Sequence, residues 1–148
     1  MRMRVLGLAE YVIQRATYNE QPITNLKLQK TLYYLQGYTL RVFSEPAFDE
    51  EIQNWQYGPV VPVVYFAYSN YGSNPLEVND SNKIEDIPIG HKMLFNKVID
   101  ACLQYTARDL VQKTHEELPW KNTKLNEKIS RDQIMRFFCK NNPLELDD

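Results

Sequence analysis

A nine-residue stretch, Asn54-Trp55-Gln56-Tyr57-Gly58-Pro59-Val60-Val61-Pro62, constrains this chain more than any other. It holds two large aromatics, a Gly-Pro pair and a second proline, and it carries no charge. Glycine tolerates unusual φ, and proline fixes φ and removes a backbone donor, so the pair forces a sharp turn. Before it, Ile52, Asn54 and Gln56 alternate with Gln53, Trp55 and Tyr57 as in a short strand. An apolar run from Val60 to Ala67 leaves the turn. The segment predicts a rigid aromatic corner, either core or contact surface, and it holds no catalytic motif.

The rest of the chain reads as helices. Val5, Leu8, Val12, Ile13 and Ala16 recur at helical spacing and predict a helix over 4–18. Thr24 is a good N-cap for a second, with Ile23 and Leu28 at staple positions. Leu28, Leu32, Leu35, Thr39 and Val42 mark its apolar face to about Phe43, and Lys27, Lys30 and Tyr34 fall largely off that face. A third helix starts at Pro62, tolerated in a first turn, and ends near Tyr71-Gly72. Residues 73–89, with Asn79-Asp80-Ser81-Asn82, read as a surface loop. Leu94, Val98, Ala101, Cys102 and Tyr105 mark a fourth helix. Thr106 to Asp109 and Ser130 to Gln133 each have capping-box form and open two more, to about His115 and Cys139. The expected fold is mainly α (α+β): a compact bundle of about six helices with a small antiparallel β element around residues 47–57.

At 148 residues one domain is expected, over 1–141, with 142–148 as a frayed acidic tail. The net charge of −2 gives no global pull toward nucleic acid. Charge is uneven: six basic against two acidic side chains in 1–43, one against eight in 44–90, and ten against nine in 91–148. We read this as solvated faces of opposite sign. Two cysteines, Cys102 and Cys139, are too few for a disulfide framework; both fall in apolar helical patterns, and this usage suits a reducing cytoplasm. No apolar run approaches the length that spans a bilayer.

Few residues suggest chemistry. His115-Glu116 begins like a zinc-protease motif, but Pro119 stands where a second His is needed, and zinc requires three or four convergent ligands. No metal and no cofactor are expected. A reactive thiolate must be partly exposed, which buried Cys102 and Cys139 are not expected to be. The cluster Asp49, Glu50, Glu51 adjoins a strand and reads as a charged edge. Lys27, Lys30 and Arg41 share a helix with Tyr33, Tyr34 and Tyr38, which can mark a stacking surface. Without a dense basic stripe, direct nucleic-acid binding is not expected. Trp120, after the fixed turn at Pro119, either closes the core or joins Trp55 and Tyr57 in a contact patch.

Three segments together carry a resemblance. Thr24-Asn25-Leu26-Lys27-Leu28-Gln29-Lys30-Thr31-Leu32-Tyr33-Tyr34-Leu35-Gln36-Gly37-Tyr38, then the stretch from Phe48 to Pro62 with Trp55, Tyr57, Gly58 and Pro59, then Thr114-His115-Glu116-Glu117-Leu118-Pro119-Trp120, resemble in order the signature segments of the Panacea domain family, also described as SocA-like or GepA-like phage-associated proteins. Two departures stand out: Asn54 where Ala is usual, and Leu35 where Ala is usual. The resemblance implies an antitoxin, bacterial or phage-encoded, whose partner is a toxin protein from a neighbouring gene. It implies no enzymatic activity. One family member is an adaptor that delivers its toxin to a protease, so the alternative partner is an unfoldase, with residues 144–148 as a tether. The remaining alternative is an enzyme using His115 and Glu116. Some members carry a fused DNA-binding segment, for which this length leaves no expected room. The candidate partner-binding residues are Lys27, Lys30, Tyr34, Trp55, Tyr57 and Pro59, with Lys27, Lys30 and residues 49–51 at the rim. Leu28, Tyr33, Gly58, His115, Pro119 and Trp120 are expected to hold the fold.

Overall fold

The second helix is the axis of the molecule. In the computed structural model, which describes residues 2–79 and 86–147, α1 spans Val5–Tyr18 and α2 spans Asn25–Phe43. Thr24 caps α2 by accepting from the Lys27 N–H, and Ser44 ends it in the left-handed region at φ 58°. Every residue from Leu28 to Leu40 is buried. The expected one-sided apolar face is therefore corrected: Lys30 and Tyr34 are as buried as Leu28 and Leu32, while Val42 is exposed. The reason is encirclement by α1, α3 (Pro62–Ala67), α4 (Ile89–Leu103), α5 (Ala107–His115), α7 (Arg131–Lys140) and strand β2 (Gly58–Val60).

A polar helix can be buried all round only if each polar group finds a partner. Gln36 Oε1 accepts from the Ala47 and Phe48 N–H groups, and its Nε2 donates to Phe48 O. Gln29 Oε1 accepts from the Val61 N–H at 2.9 Å and its Nε2 donates to Asn25 Oδ1. Thr31 and Thr39 turn back onto the carbonyls of Lys27 and Leu35. At Gly37 the ring of Phe138 from α7 lies so close that a Cβ would fall 2.1–2.4 Å from three ring carbons. That ring meets Tyr33, Tyr34 and Tyr38 edge-on, at 5.6, 6.0 and 5.2 Å between centroids.

The expected small antiparallel β element is a three-stranded sheet that reaches beyond residues 47–57. β1 (Ile52–Trp55) pairs antiparallel with β2 in the register Gln53↔Val60, Asn54↔Pro59, Trp55↔Gly58. On its other side it pairs with β3 (Lys128–Ile129), giving the order β2-β1-β3. Pro59 sits on an edge strand, where a missing donor is tolerated. The helix from Pro62 stops at Ala67, and a 3-10 turn, Ser69–Tyr71, completes the expected span to Gly72. The loop that follows is described to Asn79; its Asp80-Ser81-Asn82 lies outside the described residues.

α4 buries the expected Val98 and Cys102 together with Phe95 and Ile99, while Leu94, Ala101 and Tyr105 pack half-buried against the core. Arg15 on α1 grips Asp100 on α4 through two 2.7 Å hydrogen bonds. The Thr106–Asp109 capping box at α5 is fully formed. A one-turn helix, α6 (Leu118–Lys121), carries Pro119 and Trp120. At α7 the Ser130 hydroxyl accepts from the Gln133 N–H at 3.1 Å. Ser130→Ala is expected to cost about 1 kcal/mol, read as a lower urea midpoint at constant m.

One further expectation is corrected. Cys139 is exposed, on the outer face of α7, while Cys102 is buried. Residues 142–146 lie against α2. Leu144 is buried, its N–H donates to the Tyr38 hydroxyl oxygen at 2.9 Å, and that hydroxyl donates to Asn142 Oδ1 at 2.6 Å. The acidic residues hid a leucine that completes the core beside α2.

Candidate functional site

The three signature segments converge on one buried polar frame. Lys30 Nζ donates to Pro59 O at 2.9 Å, with the whole side chain shielded from solvent. Burial pushes its ammonium down to about 7. Gly58 packs on it so closely that a Cβ would lie 2.8 Å from Lys30 Cε and 2.7 Å from Thr114 Oγ1, and its φ of +109° excludes ordinary side chains as well. Tyr33 and Tyr34 donate to the two carboxylate oxygens of Glu117 at 3.0 and 2.8 Å. Burial raises the Glu117 carboxyl to about 7, against the opposing effect of those two hydrogen bonds. Both phenols are pushed up, first by burial and then by the neighbouring carboxylate.

A second set of bonds fixes the hairpin to α6. The Trp120 indole N–H donates to Trp55 O at 2.9 Å. Asn54 Nδ2 donates to Trp120 O at 3.2 Å and Thr123 O at 2.6 Å. Asn54 thus has a use that Ala cannot supply. His115 stacks on Trp120, 4.0 Å between ring centroids. Glu116 is exposed at the end of α5, and no hydrogen bond joins its side chain to His115. Burial raises the Cys102 thiol to about 12, so it is no thiolate nucleophile at neutral pH. Among the described residues, no three His, Cys, Asp or Glu gather as a metal site would require, and no helix is long and apolar enough to cross a membrane.

This frame presents an aromatic groove of about 650 Å³ between the start of α2, the hairpin tip and α3. Trp55, Tyr57 and Tyr65 line it beside Leu26 and Gln29, and no lining side chain is charged. Trp55 meets Tyr65 edge-on at 5.0 Å and Phe66 at 6.1 Å; Tyr65 and Phe66 are 5.4 Å apart. Asn25 Nδ2 holds α3 by donating to Tyr65 O at 3.0 Å. Tyr57 is 60% exposed and Phe66 64%, and Val63 is exposed on the same short helix as Phe66. Trp and Tyr are enriched at protein interfaces and among their hot spots.

The expected contact residues divide accordingly. Trp55 and Tyr57 lie on the groove. Lys30, Tyr34 and Pro59 are buried and offer a partner no surface; Lys30 ties α2 to Pro59, and Tyr34 ties it to Glu117. Lys27 is half-buried, and its Nζ donates to the carbonyls of Leu103 and Tyr105 at the end of α4. Residues 49–51 line a separate depression with Lys128 and Arg131, and Asp49 pairs with Arg2 at 3.0 Å and Arg131 at 3.6 Å. Leu28, Tyr33, Gly58, His115, Pro119 and Trp120 all sit within the packed frame or against it. Sequence reasoning missed Tyr65, Phe66 and Val63. Their signal was the unbroken apolar run after Pro62, whose short helix buries only Val64.

Comparison with known proteins gives two findings. The family model described as antitoxin SocA-like, Panacea domain, matches residues 28–121, which hold the hairpin, the buried lysine and Trp120. Over 66 residues the chain is 37% identical to a protein named antitoxin SocA from Caulobacter vibrioides (strain NA1000 / CB15N). That stretch is 45% of this chain and spans 35% of the relative's length. No solved structure matches.

Proposed function

Because the chain belongs to the SocA-like antitoxin family defined by the Panacea domain, we propose that it neutralises a toxin protein by binding it directly through the aromatic groove and its rim. The observation that carries this reading is the cluster of Trp55, Tyr57, Tyr65 and Phe66, held in place from behind by bonds to buried groups. Neutralisation by binding needs no reacting group. It needs a stable surface that covers or distorts the toxin's working part, and such interfaces bury roughly 1,200–2,000 Å² around a few aromatic anchors. The groove with exposed Tyr57, Val63 and Phe66 supplies those anchors. The absence of charge in its lining favours an apolar toxin segment, since a charged side chain would lose water there without gaining a counter-charge.

The test is co-expression with the product of the adjacent reading frame, followed by titration of the purified pair. Tyr57→Ala with Phe66→Ala is expected to weaken binding at least about 30-fold, the effect of losing roughly 2 kcal/mol of anchor contact, and to restore toxicity. Both side chains are largely in water, so the circular dichroism and thermal midpoint should stay unchanged. Glu50→Ala, on the separate depression, should leave binding as it was. Full affinity in the double variant would remove the groove from the interface.

A further inference from the structure

The last turns of α2, the outer face of α4 and the end of the chain enclose another basin, of about 360 Å³, which shares no lining residue with the aromatic groove. Its walls are apolar: Tyr38 and Val42 from α2, Met93 and Leu94 from α4. Val42 is 53% exposed and Met93 59%, although neighbouring residues on both helices are core. Two cations stand at its rim, Arg41 and Lys97. Among the described residues neither is paired with a carboxylate; the ion pairs lie elsewhere, at Arg2, Arg15, Arg131 and Arg136. Arg41 Nη1 donates to Asn141 O at 3.1 Å.

The spacing of these groups limits what can fit. Arg41 directly precedes Val42, and Lys97 follows Met93 by one helical turn. A ligand that satisfies both apolar wall and cations carries a carboxylate beside an aliphatic group. The chain supplies a partial example of that chemistry. Its own Leu146 and Asp147 line one edge of the basin. They are held there by Asn142, whose Oδ1 accepts from the Leu146 N–H at 3.0 Å and whose Nδ2 donates to Leu146 O at 2.9 Å.

We infer that this basin is a second protein-docking site, taking a partner segment in which an aliphatic residue is directly followed by aspartate. The aliphatic side chain lies against Val42 and Met93, and the carboxylate sits between Arg41 and Lys97. Asp147 competes for the same cations from the edge. The assignment does not depend on the toxin contact at the aromatic groove, since the two sites share no residues.

The probes are acetyl-Ala-Leu-Asp-Ala-amide and its Leu-Asn counterpart, titrated at low salt into the isotope-labelled full chain and followed by amide chemical shifts. The Leu-Asp peptide is expected to shift Val42, Met93 and Lys97 saturably, and the Leu-Asn peptide to bind about five-fold more weakly, the scale of one exposed ion pair. Lys97→Gln should weaken the Leu-Asp peptide about five-fold, and Asp147→Asn should tighten it about two-fold or more. Both positions are exposed, so folding is not at stake, and the opposite signs are the signature. Equal affinity of the two peptides, or no shift up to about 10 mM, overturns the site. Tighter binding of acetyl-Ala-Ala-Leu with a free carboxylate would move the assignment to a chain terminus and overturn the internal motif. Octanoate binding where neither peptide binds would overturn the polypeptide assignment.

Discussion

Gly37→Ala is expected to destabilise the protein by about 3 kcal/mol or more, in a helix interior where the same exchange ordinarily gains close to 1 kcal/mol. The added methyl would fall 2.1 Å from Phe138 Cε2 and 2.3 Å from Cδ2. The ring cannot retreat easily, because it is buried and flanked edge-on by Tyr33, Tyr34 and Tyr38. Relief would require moving α7 off α2, which also disturbs the packed C-terminal segment at Tyr38. Urea or thermal unfolding measures the loss. Phe138→Leu should leave room for the methyl, so the double variant should be less than additively destabilised, with a coupling of about 1–3 kcal/mol. Additive losses would show that the contact is not the cause.

Lys30→Met is expected to stabilise the protein by about 2–3 kcal/mol near pH 6, and the gain should vanish toward pH 10. Lys30 is wholly buried with Pro59 O as its hydrogen-bond acceptor, and burial lowers its ammonium to about 7 from an ordinary 10.5. Between those values the unfolded chain binds more protons than the folded one, so the lysine makes stability rise with pH across that window. Below about pH 7 the folded protein carries the full cost of a buried cation, a few kcal/mol. Methionine fills similar space without that cost, though it leaves the Pro59 carbonyl unbonded at about 1–3 kcal/mol. Glu117 acts in the opposite window. Its carboxyl is raised to about 7 from 4.5, so the folded state holds the extra proton and stability falls as pH rises from 4.5 to 7. These two groups together place their least favourable contribution near neutrality. Urea midpoints from pH 5 to 10 test this. A difference between Lys30→Met and the parent that stays constant with pH would refute it.

Local signals were legible in the sequence, and non-local ones were not. Thr24, Thr106 with Asp109, and Ser130 announced helix starts because a cap bonds within three residues of itself. Pro62 announced its helix start for the same reason, whereas the turn expected at Gly58-Pro59 falls one step earlier, at Gln56-Tyr57, and the pair itself opens β2. The burial of α2 was hidden because Gln29, Lys30 and Gln36 find their partners 11 to 32 residues away. Read alone, each is a polar residue that belongs in water. β3 has only two residues and exists through pairing with Ile52 and Gln53. The candidate groove was partly legible for the same cause: Trp55 and Tyr57 line it as the sequence suggests, but nothing local shows that Lys30, Tyr34 and Pro59 are buried, because their enclosure depends on α5 and α6. Phe66 was overlooked because apolar sequence is read as core unless something shows that the core is already full.

α2 is hemmed in along thirteen successive positions, Leu28 to Leu40. A larger side chain at any of these positions has to be matched by a change in whichever packed element faces it. Under the proposed binding mode, freedom to retune partner choice is therefore concentrated in the outer shell, at Gln56, Tyr57, Val63 and Phe66, where a side chain can be exchanged without consulting the axle. A library randomised at those four positions on an otherwise fixed chassis is the natural place to look for altered partner choice.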